Sequence, residues 1–471
     1  MNEIRDQREG RRIEPCPQDG ERASGPRPMH GYPVPTVLRA IPTRKRVTRA
    51  SLPAGAEWFF TGVVLLLSTN AFLHLLSTND QPGLVMGAGA IFTQVIWSAV
   101  YLATGILLLR KSQGLAGIIF RDRLLVALVT MALVSVLWSD ERLLTLRRSV
   151  ALIGTTMFGA YFSSRFGLVD QLKILSRALA FAAIMSLLFV LVLPPVGIAS
   201  GDFKGAWLGI YGHKNVLGST MALGIIVFIL RAISERRAVL RWWAVTGLAL
   251  ILLLGAQSVT GLLACLFTVA ALVVSFAFRW RLRNAVAFFL GLAALAVSGG
   301  IYFISHAEKM LLSLGRSESL SGRSTIWLIC LLRIKQRPWL GYGYDAFWRG
   351  AGSPAEAIWR LTGYPVSHAH NSVLNVWVDI GLIGVLVFLL QYFRSLWRAI
   401  TLVRRTTTPE YLWPFVYLFF TGVYGLVESV ILRQNDLTWI LYTSVALVIP
   451  AMTAARAPQP PSAAAKRVVD A

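Results

Sequence analysis

Apolar residues occupy long, nearly uninterrupted runs of this chain, and short polar segments separate them. The runs are about 15–20 residues long, and about 20 helical residues at 1.5 Å each cross a ~30 Å hydrocarbon layer. The pattern predicts an all-α polytopic membrane protein with about twelve transmembrane helices. Eleven is the alternative, because the fourth run is short and only a few residues separate the seventh and eighth runs. The predicted spans lie near residues 58–76, 91–109, 124–138, 150–162, 179–193, 216–230, 242–256, 261–278, 285–304, 374–390, 413–430 and 439–452.

Basic residues are distributed unevenly among the short loops that join these helices. Five alternate loops together carry 18 Lys and Arg residues, whereas the short loops opposite them carry six. Positive charge in short loops accumulates on the cytoplasmic side of a membrane. The residues ahead of the first helix add 11 more basic residues. We therefore expect a multi-pass protein of the bacterial inner membrane with both termini in the cytoplasm.

The helices divide the chain into five segments. Residues 1–57 are rich in Arg, Pro and Gly, and are predicted to form a disordered basic cytoplasmic tail. Residues 58–304 hold the first nine helices, residues 374–452 hold the last three, and residues 453–471 form a second cytoplasmic tail. The connection 305–373 is predicted to be a long periplasmic loop and carries eight basic residues. Loops of this length are usually functional, so we expect this one to be catalytic.

Composition supports this class and excludes others. Hydrophobic residues make up 55% of the chain and charged residues 15%, whereas a soluble domain carries about 25% charged residues. The net charge of +23 would suggest nucleic acid on a soluble surface, but here the basic residues orient helices, so we expect no nucleic-acid partner. The three cysteines follow no disulfide or metal-ligand spacing.

Polar residues suited to chemistry form three clusters on the predicted periplasmic side. The first is Gly-His-Lys-Asn at 212–215, at the start of the sixth helix. Free N–H groups at a helix start attract anions, and Lys214 adds a positive charge beside His213 and Asn215. The simpler interpretation is a capped helix start with a lysine that extends to the membrane interface.

The second cluster lies within the long loop, at 321–327, with Arg316 just upstream. Arg323 is predicted at a helix start, where a guanidinium can bind phosphate bidentately. The alternative is an amphipathic helix on the membrane surface, with its basic residues toward the headgroups. A turn follows at 337–345, and Tyr342 and Tyr344 are predicted to display rings that stack on sugar.

The third cluster is Ser-His-Ala-His-Asn at 367–371, before the tenth helix. Two histidines at i and i+2 do not share a helix face, so we expect no metal site, and a single histidine suits a general base. His368 and His370 are both candidates, and a polar helix cap that includes Asn371 is the alternative. Glu428, near the outer end of its span, could reach the cluster. Asp379 is ~13 Å along the helix from His370 and is expected to be structural.

These clusters, in this order, resemble the O-antigen ligase / Wzy polymerase family of bacterial polysaccharide assembly. The resemblance rests on residues 321–327 and 338–347, and on His370 and Asn371 leading into 376–384. The segment 212–215 is similar to the exopolysaccharide polymerases of this family, the ExoQ-like branch. The resemblance implies a GT-C-like fold, His370 as the essential histidine of the loop, Arg323 as its arginine, and Arg147 or Arg148 as a further family arginine.

The resemblance also implies an inverting, metal-independent glycosyltransferase without a cofactor, whose substrate is an undecaprenyl-diphosphate-linked oligosaccharide in the bilayer. We expect a polymerase of such repeats into exopolysaccharide, which works with a flippase and a chain-length regulator. A diphosphate leaving group needs cations, which we assign to Arg147, Arg148, Lys214 and Arg316 besides Arg323. The alternatives are a ligase that transfers polysaccharide to lipid A core, a transporter with midplane binding residues, and a non-catalytic scaffold.

Overall fold

A computed structural model describes residues 54–76, 88–110, 117–118, 120–280, 283–284, 286–288, 290–291, 298, 323–349, 352–363 and 365–454. In these ranges all regular structure is helical, apart from one bridging residue pair, Ile198 and Trp207. The all-α prediction is therefore confirmed for the described part of the chain. Both predicted tails, most of the predicted ninth span, the first part of the long loop and Arg316 lie outside the described residues.

Thirteen α-helices longer than one turn are present in the described ranges. In chain order they are α1 (Ala54–Leu67), α2 (Ala88–Leu109), α3 (Arg123–Val134), α4 (Arg142–Arg165), α5 (Leu168–Val192), α6 (Lys214–Ser234), α7 (Val239–Gly255), α8 (Val259–Ser275), α9 (Arg323–Gln336), α10 (Glu356–Thr362), α11 (Ser372–Arg404), α12 (Trp413–Gly425) and α13 (Leu437–Ala454). Two of them, α9 and α10, lie inside the predicted loop 305–373.

Six of the described helices, α2, α5, α6, α7, α8 and α11, are long and apolar enough to cross a membrane. Parts of α1, α3 and α13 are apolar but shorter. Large apolar side chains such as Leu102, Leu266 and Leu386 expose most of their surface, as lipid-facing residues do. These helices support a multi-pass membrane protein. The count of twelve spans and the sides on which the loops lie stay predictions.

Two helix boundaries differ from the hydropathy pattern, and both affect the site. Helix α4 begins at Arg142, eight residues before the apolar run. Arg147 and Arg148 are therefore helical residues. Thr145 and Arg148 anchor its first two turns through contacts with Tyr344 and Asp345. The eleventh apolar run extends to residue 430, but α12 ends at Gly425. A turn follows in which the Glu428 N–H donates to the Tyr424 carbonyl at 2.9 Å, so Glu428 lies beyond the helix.

Helix α11 is broken at Gly381, where the backbone adopts φ 74° and ψ −176°, a conformation essentially reserved for glycine. The turn at 338–343 inserts its backbone into this break. The N–H groups of Tyr342 and Gly343 donate to the carbonyls of Val378 and Asp379 at 2.8 and 2.9 Å, and the Leu382 N–H donates to the Pro338 carbonyl at 2.8 Å. The turn thereby replaces the helical hydrogen bonds that the break removes.

Candidate active site

A cavity of about 410 Å³ opens where several helix ends meet. Its walls come from the residues that follow α1, the start of α6, the segment 365–370 before α11, the end of α12 and the connection from α12 to α13. Among the wall residues are His213, His368, His370, Glu428 and Arg433. The third predicted cluster and part of the first therefore face one shared space.

Glu428 is the centre of the polar contacts in this cavity. Its two carboxylate oxygens each lie 3.1 Å from Nδ1 of His370, and a guanidinium N–H of Arg323 donates to Oε1 at 3.3 Å. The three side chains are 11%, 22% and 19% exposed in this order. A carboxylate enclosed to this degree needs partners to stay charged, and it has an imidazole and a guanidinium.

Local hydrogen bonds fix His370 opposite Glu428. Asn371 caps α11, because its side chain accepts from the Leu374 N–H at 3.0 Å, and its amide also donates to the Leu426 carbonyl at 3.1 Å. The next residue, Ser372, donates to the Glu428 carbonyl at 2.9 Å. His370 itself has a positive φ of 49°, which is uncommon outside glycine. The start of α11 and the turn after α12 are thus tied together across the site.

Arg323 is the first described residue of α9. One turn further along this helix, the indole N–H of Trp327 donates to the carbonyl of Ala369 at 2.9 Å. This bond attaches the first turn of α9 to the backbone between the two histidines. Helix α9 therefore holds Arg323 against Glu428, and the amphipathic-helix alternative for this segment is not needed to explain its arginine.

His368 occupies a different position from His370. Its ring centroid is 4.1 Å from that of His370, and its Nδ1 accepts from the His370 backbone N–H at 3.3 Å. Nδ1 is 3.9 Å from the Glu428 carboxylate. Burial, then the nearby positive charges of Arg433 and Arg323, hold the pKa of His368 well below its usual value. His368 is therefore neutral at pH 7 and supports the loop through its backbone contact.

The 212–215 cluster forms the capped helix start that was the simpler interpretation. His213 is the N-cap of α6, and its Nδ1 accepts from the Asn215 N–H at 3.2 Å. The Asn215 side chain accepts from the Ser258 hydroxyl at 3.0 Å. The Lys214 ammonium lies over the Phe203 ring, 4.4 Å from its centroid. His213 and Asn215 line the cavity, and burial lowers the pKa of His213.

The arginines of α4, predicted to bind diphosphate, lie away from this cavity. Arg148 forms an ion pair with Asp345 and also donates to the Asp345 carbonyl at 3.4 Å. Arg147 is exposed. Neither these two residues nor Lys214 lines the cavity. The prediction placed all three near one ligand because it treated every basic residue on this side as equivalent.

The prediction that Tyr342 and Tyr344 display their rings is wrong. Their relative exposures are 4% and 2%. The Tyr344 hydroxyl contacts the Leu432 carbonyl at 2.5 Å and Gln434 Oε1 at 2.7 Å, and the Tyr342 hydroxyl donates to the Arg333 carbonyl at 2.9 Å. Because the 338–343 turn enters the break in α11, its aromatic side chains are carried into the protein interior and cannot stack on a sugar.

One group of side chains has donor atoms suited to a metal ion. Ligand atoms of His368, His370 and Glu428 all lie within 4.8 Å of one another. The sequence argument against a metal assumed a helix, whereas the two histidines lie in a loop that brings them together. Two imidazoles and a carboxylate match catalytic zinc ligands. Against this, Arg323 already binds Glu428, and Arg433 adds a second positive charge.

Sequence reasoning missed one residue of the cavity, Arg433, which lines it. Asp379 does not line the cavity, and its carboxylate accepts from the Asn375 amide at 2.9 Å and the Asp345 N–H at 3.2 Å, contacts that agree with the structural role expected of it. The available signal was that Arg433 is a lone basic residue in a short connection where the charge pattern disfavours it.

These observations define a class: a multi-pass helical membrane protein with an enclosed imidazole, carboxylate and guanidinium site at helix ends. Comparison with known proteins shows which family and which protein the chain is similar to. A family described as O-antigen ligase matches residues 244–389. The chain is also 28% identical, over 277 residues, to the exopolysaccharide production protein ExoQ of Rhizobium meliloti (strain 1021).

The alignment with the Rhizobium protein covers 55% of this chain and 61% of that relative, so the chain spans about three fifths of the relative's length. The predicted resemblance to the O-antigen ligase family and to ExoQ is confirmed. The family match includes Arg323 and His370 but ends at residue 389. Glu428 and Arg433 lie beyond it, so the structure supplies the part of the site that the family match does not reach.

Proposed function

We propose that this protein is an inverting membrane glycosyltransferase that joins undecaprenyl-diphosphate-linked oligosaccharide repeats into exopolysaccharide. The observation that carries the proposal is the contact between His370 and Glu428 beside Arg323 in a cavity at helix ends. The similarity to an exopolysaccharide production protein supports this polymer class. The site would face the periplasm, with both termini in the cytoplasm, and a flippase and a chain-length regulator would be its partners.

His370 is the general base in this mechanism. With its Nδ1 proton donated to Glu428, the neutral imidazole has an unprotonated Nε2 that can accept a proton. As the acceptor hydroxyl oxygen bonds to the anomeric carbon of the donor, its proton passes to Nε2. Glu428 orients the ring and stabilises the imidazolium that forms, as the carboxylate does in a serine-protease triad.

Cations stabilise the leaving group. The bond between the anomeric carbon and the diphosphate oxygen breaks, and its electron pair leaves with the diphosphate. A guanidinium has five N–H donors, and the Arg323 contact with Glu428 uses one of them. Arg323 can therefore bind the carboxylate and a phosphate oxygen together. Attack opposite the leaving group inverts the anomeric carbon, and charge stabilisation by arginine removes the need for a metal.

A ligase that transfers lipid-linked polysaccharide to lipid A core is the second candidate, because the matching family is described as O-antigen ligase. The two activities share the donor and differ in the acceptor. A transporter is less well supported. Transporter sites lie at the bilayer midplane on broken helices, whereas the His370–Glu428 contact joins residues outside the helices of the described part.

Analysis of lipid-linked intermediates in a deletion strain tests the proposal. Loss of a polymerase should leave single repeats on undecaprenyl diphosphate, whereas loss of a ligase should leave long chains on the lipid. Complementation with the wild-type gene should restore polymer, and complementation with His370→Ala should not, at equal protein level. Lipid-linked intermediates in the deletion strain that match those of the wild type would contradict both transferase activities.

A further inference from the structure

Arg433 is a charged residue of the cavity wall whose side chain forms no hydrogen bond or ion pair in the described part of the chain, although the charge of Asp436 acts on it from a longer distance. It lies in the connection from α12 to α13 and lines the cavity, half-buried. No hydrogen bond or ion pair joins its side chain to any described residue. By contrast, Arg148, Arg323, Arg337 and Arg349 each form an ion pair.

The backbone on both sides of Arg433 is fixed in an uncommon conformation. Leu432 has a φ of 55° and Asn435 a φ of 61°, left-handed values that are disfavoured for residues other than glycine, most of all for a bulky side chain such as Leu. Such conformations persist only where the surroundings enforce them, and they concentrate at binding sites. The connection is thus held in place and does not adopt its shape by local preference.

Contacts from two other elements, the segment that holds Tyr344 and Asp345 and the helix α4, enforce that shape. The Tyr344 hydroxyl bonds the Leu432 carbonyl and the Gln434 side chain, and the Gln434 amide donates to Asp345 at 3.3 Å. The Asn435 N–H donates to the Thr155 hydroxyl at 2.9 Å. These hydrogen bonds anchor the residues before and after Arg433, and the Arg433 side chain lines the cavity.

The carboxylates of the cavity wall are already occupied. Glu428 binds His370 and Arg323, and Asp436 accepts from the Thr438 N–H at 2.8 Å and from the Thr438 hydroxyl, at the start of α13. Asp436 acts on Arg433 only through its charge and accepts none of its N–H groups, so the five donors of this partly buried guanidinium stay available. The complementary ligand is an anion with several oxygens, which a planar guanidinium binds bidentately.

We propose that Arg433 binds a phosphate of the lipid-linked diphosphate and, with Arg323, forms its anion-binding site. This inference rests on the proposed function for the identity of the donor. The diphosphate is common to every lipid-linked repeat, whatever its sugars. Arg433 therefore replaces Arg147, Arg148 and Lys214 as the second cation for the leaving group.

Binding of undecaprenyl diphosphate without sugar tests this site. The full chain, purified in detergent, is titrated with that lipid as wild type, Arg433→Gln and Arg433→Lys. Charge-assisted hydrogen bonds of about 1.5–3 kcal/mol correspond to about 10- to 100-fold in affinity, so Arg433→Gln should weaken binding by about that factor. Arg433→Lys should recover part of the loss, because it keeps the charge but not the planar fork.

Arg349→Gln is the matched control, because Arg349 is exposed and paired with Glu141 outside the cavity. This variant should bind the lipid as the wild type does. Wild-type affinity in Arg433→Gln would overturn the inference and leave the proposed transferase intact. Arg433-dependent binding in a protein that forms no polymer from lipid-linked repeats would support the anion site and contradict the proposed function. If free glucuronic acid competed as well as inorganic diphosphate, the ligand would be a sugar carboxylate and the inference would be wrong.

Discussion

Arginines serve two different purposes in this molecule, and the difference follows from their partners. Around the break in α11, each arginine is paired with a carboxylate that ties the loop to the start of α4. These anchor pairs are Arg148–Asp345, Arg337–Asp140 and Arg349–Glu141. At the cavity wall, Glu428 pairs with His370 and with Arg323, which does not itself line the cavity, and Arg433 has no ion-pair partner among the described residues.

The comparison shows that the role of an arginine cannot be assigned from its residue type and its predicted side of the membrane alone. Arg148 and Arg433 lie on neighbouring structures, since Asp345, the partner of Arg148, also accepts from Gln434, the residue after Arg433. One guanidinium completes an ion pair and stabilises the fold. The other is held without a hydrogen bond or ion pair among the described residues, which leaves its N–H donors available to a bound anion. The variants below test this division.

Removal of the base should have the largest effect. His370→Ala removes proton transfer, which is typically worth ~10²–10⁴-fold in rate, and should leave affinity for undecaprenyl diphosphate unchanged. The measurement is polymer formation from purified lipid-linked repeats, with folded yield for each variant. His368→Ala is the matched control and should lose about tenfold or less. If His368→Ala lost more activity than His370→Ala, His368 would be the general base.

Glu428→Gln separates positioning from chemistry in the same experiment. The amide keeps the shape of the side chain but cannot stabilise an imidazolium, so the rate should fall and the rising limb of the pH profile should move. A variant that lost stability but kept the wild-type pH profile would indicate a structural role for Glu428 alone.

The second largest effect is expected at the break in α11, the region that the anchor pairs surround. Gly381→Ala places a Cβ in contact with the Trp339 backbone and imposes a conformation that costs about 1–3 kcal/mol outside glycine. We expect a loss of about 3 kcal/mol or more in unfolding free energy, visible as reduced folded yield and a lower Tm. Gly247→Ala in α7 is the control, because its Cβ would meet nothing within 4 Å. An unchanged Tm in Gly381→Ala would contradict the inserted-turn interpretation.

Removal of the Arg148–Asp345 ion pair should lower the stability of the protein by a smaller amount. Its side chains are 31% and 19% exposed, so solvent weakens the pair, and a double-mutant cycle with alanine should give a coupling energy of about 1 kcal/mol. The affinity for undecaprenyl diphosphate should stay at the wild-type value, unlike that of Arg433→Gln. Weakened lipid binding in Arg148→Ala at an unchanged Tm would restore Arg148 as a diphosphate ligand.

Hydropathy was sufficient to predict the helical class, and the polar residues at 367–371 offered the cap that Asn371 forms at α11 as an alternative. These features depend on residues close together in sequence. The contact of His370 with Glu428 joins residues 58 apart in the chain. Whether Arg433 forms an ion pair depends on which carboxylates the neighbouring elements place beside it. Tertiary packing decides both. The burial of Tyr344 likewise follows from the break at Gly381, which no local pattern of apolar residues encodes.

The smallest expected effect is that of metal removal. His368, His370 and Glu428 could hold a divalent ion, but an ion there would compete with Arg323 for the carboxylate and with the proton for His370. We therefore expect polymer formation to continue unchanged after dialysis against EDTA, and added Zn²⁺ to inhibit, because zinc on His370 would occupy the base. Metal content of the dialysed protein is the control for complete removal. Activity lost in EDTA and regained with one divalent ion would show that the cavity uses a metal where we assign two arginines.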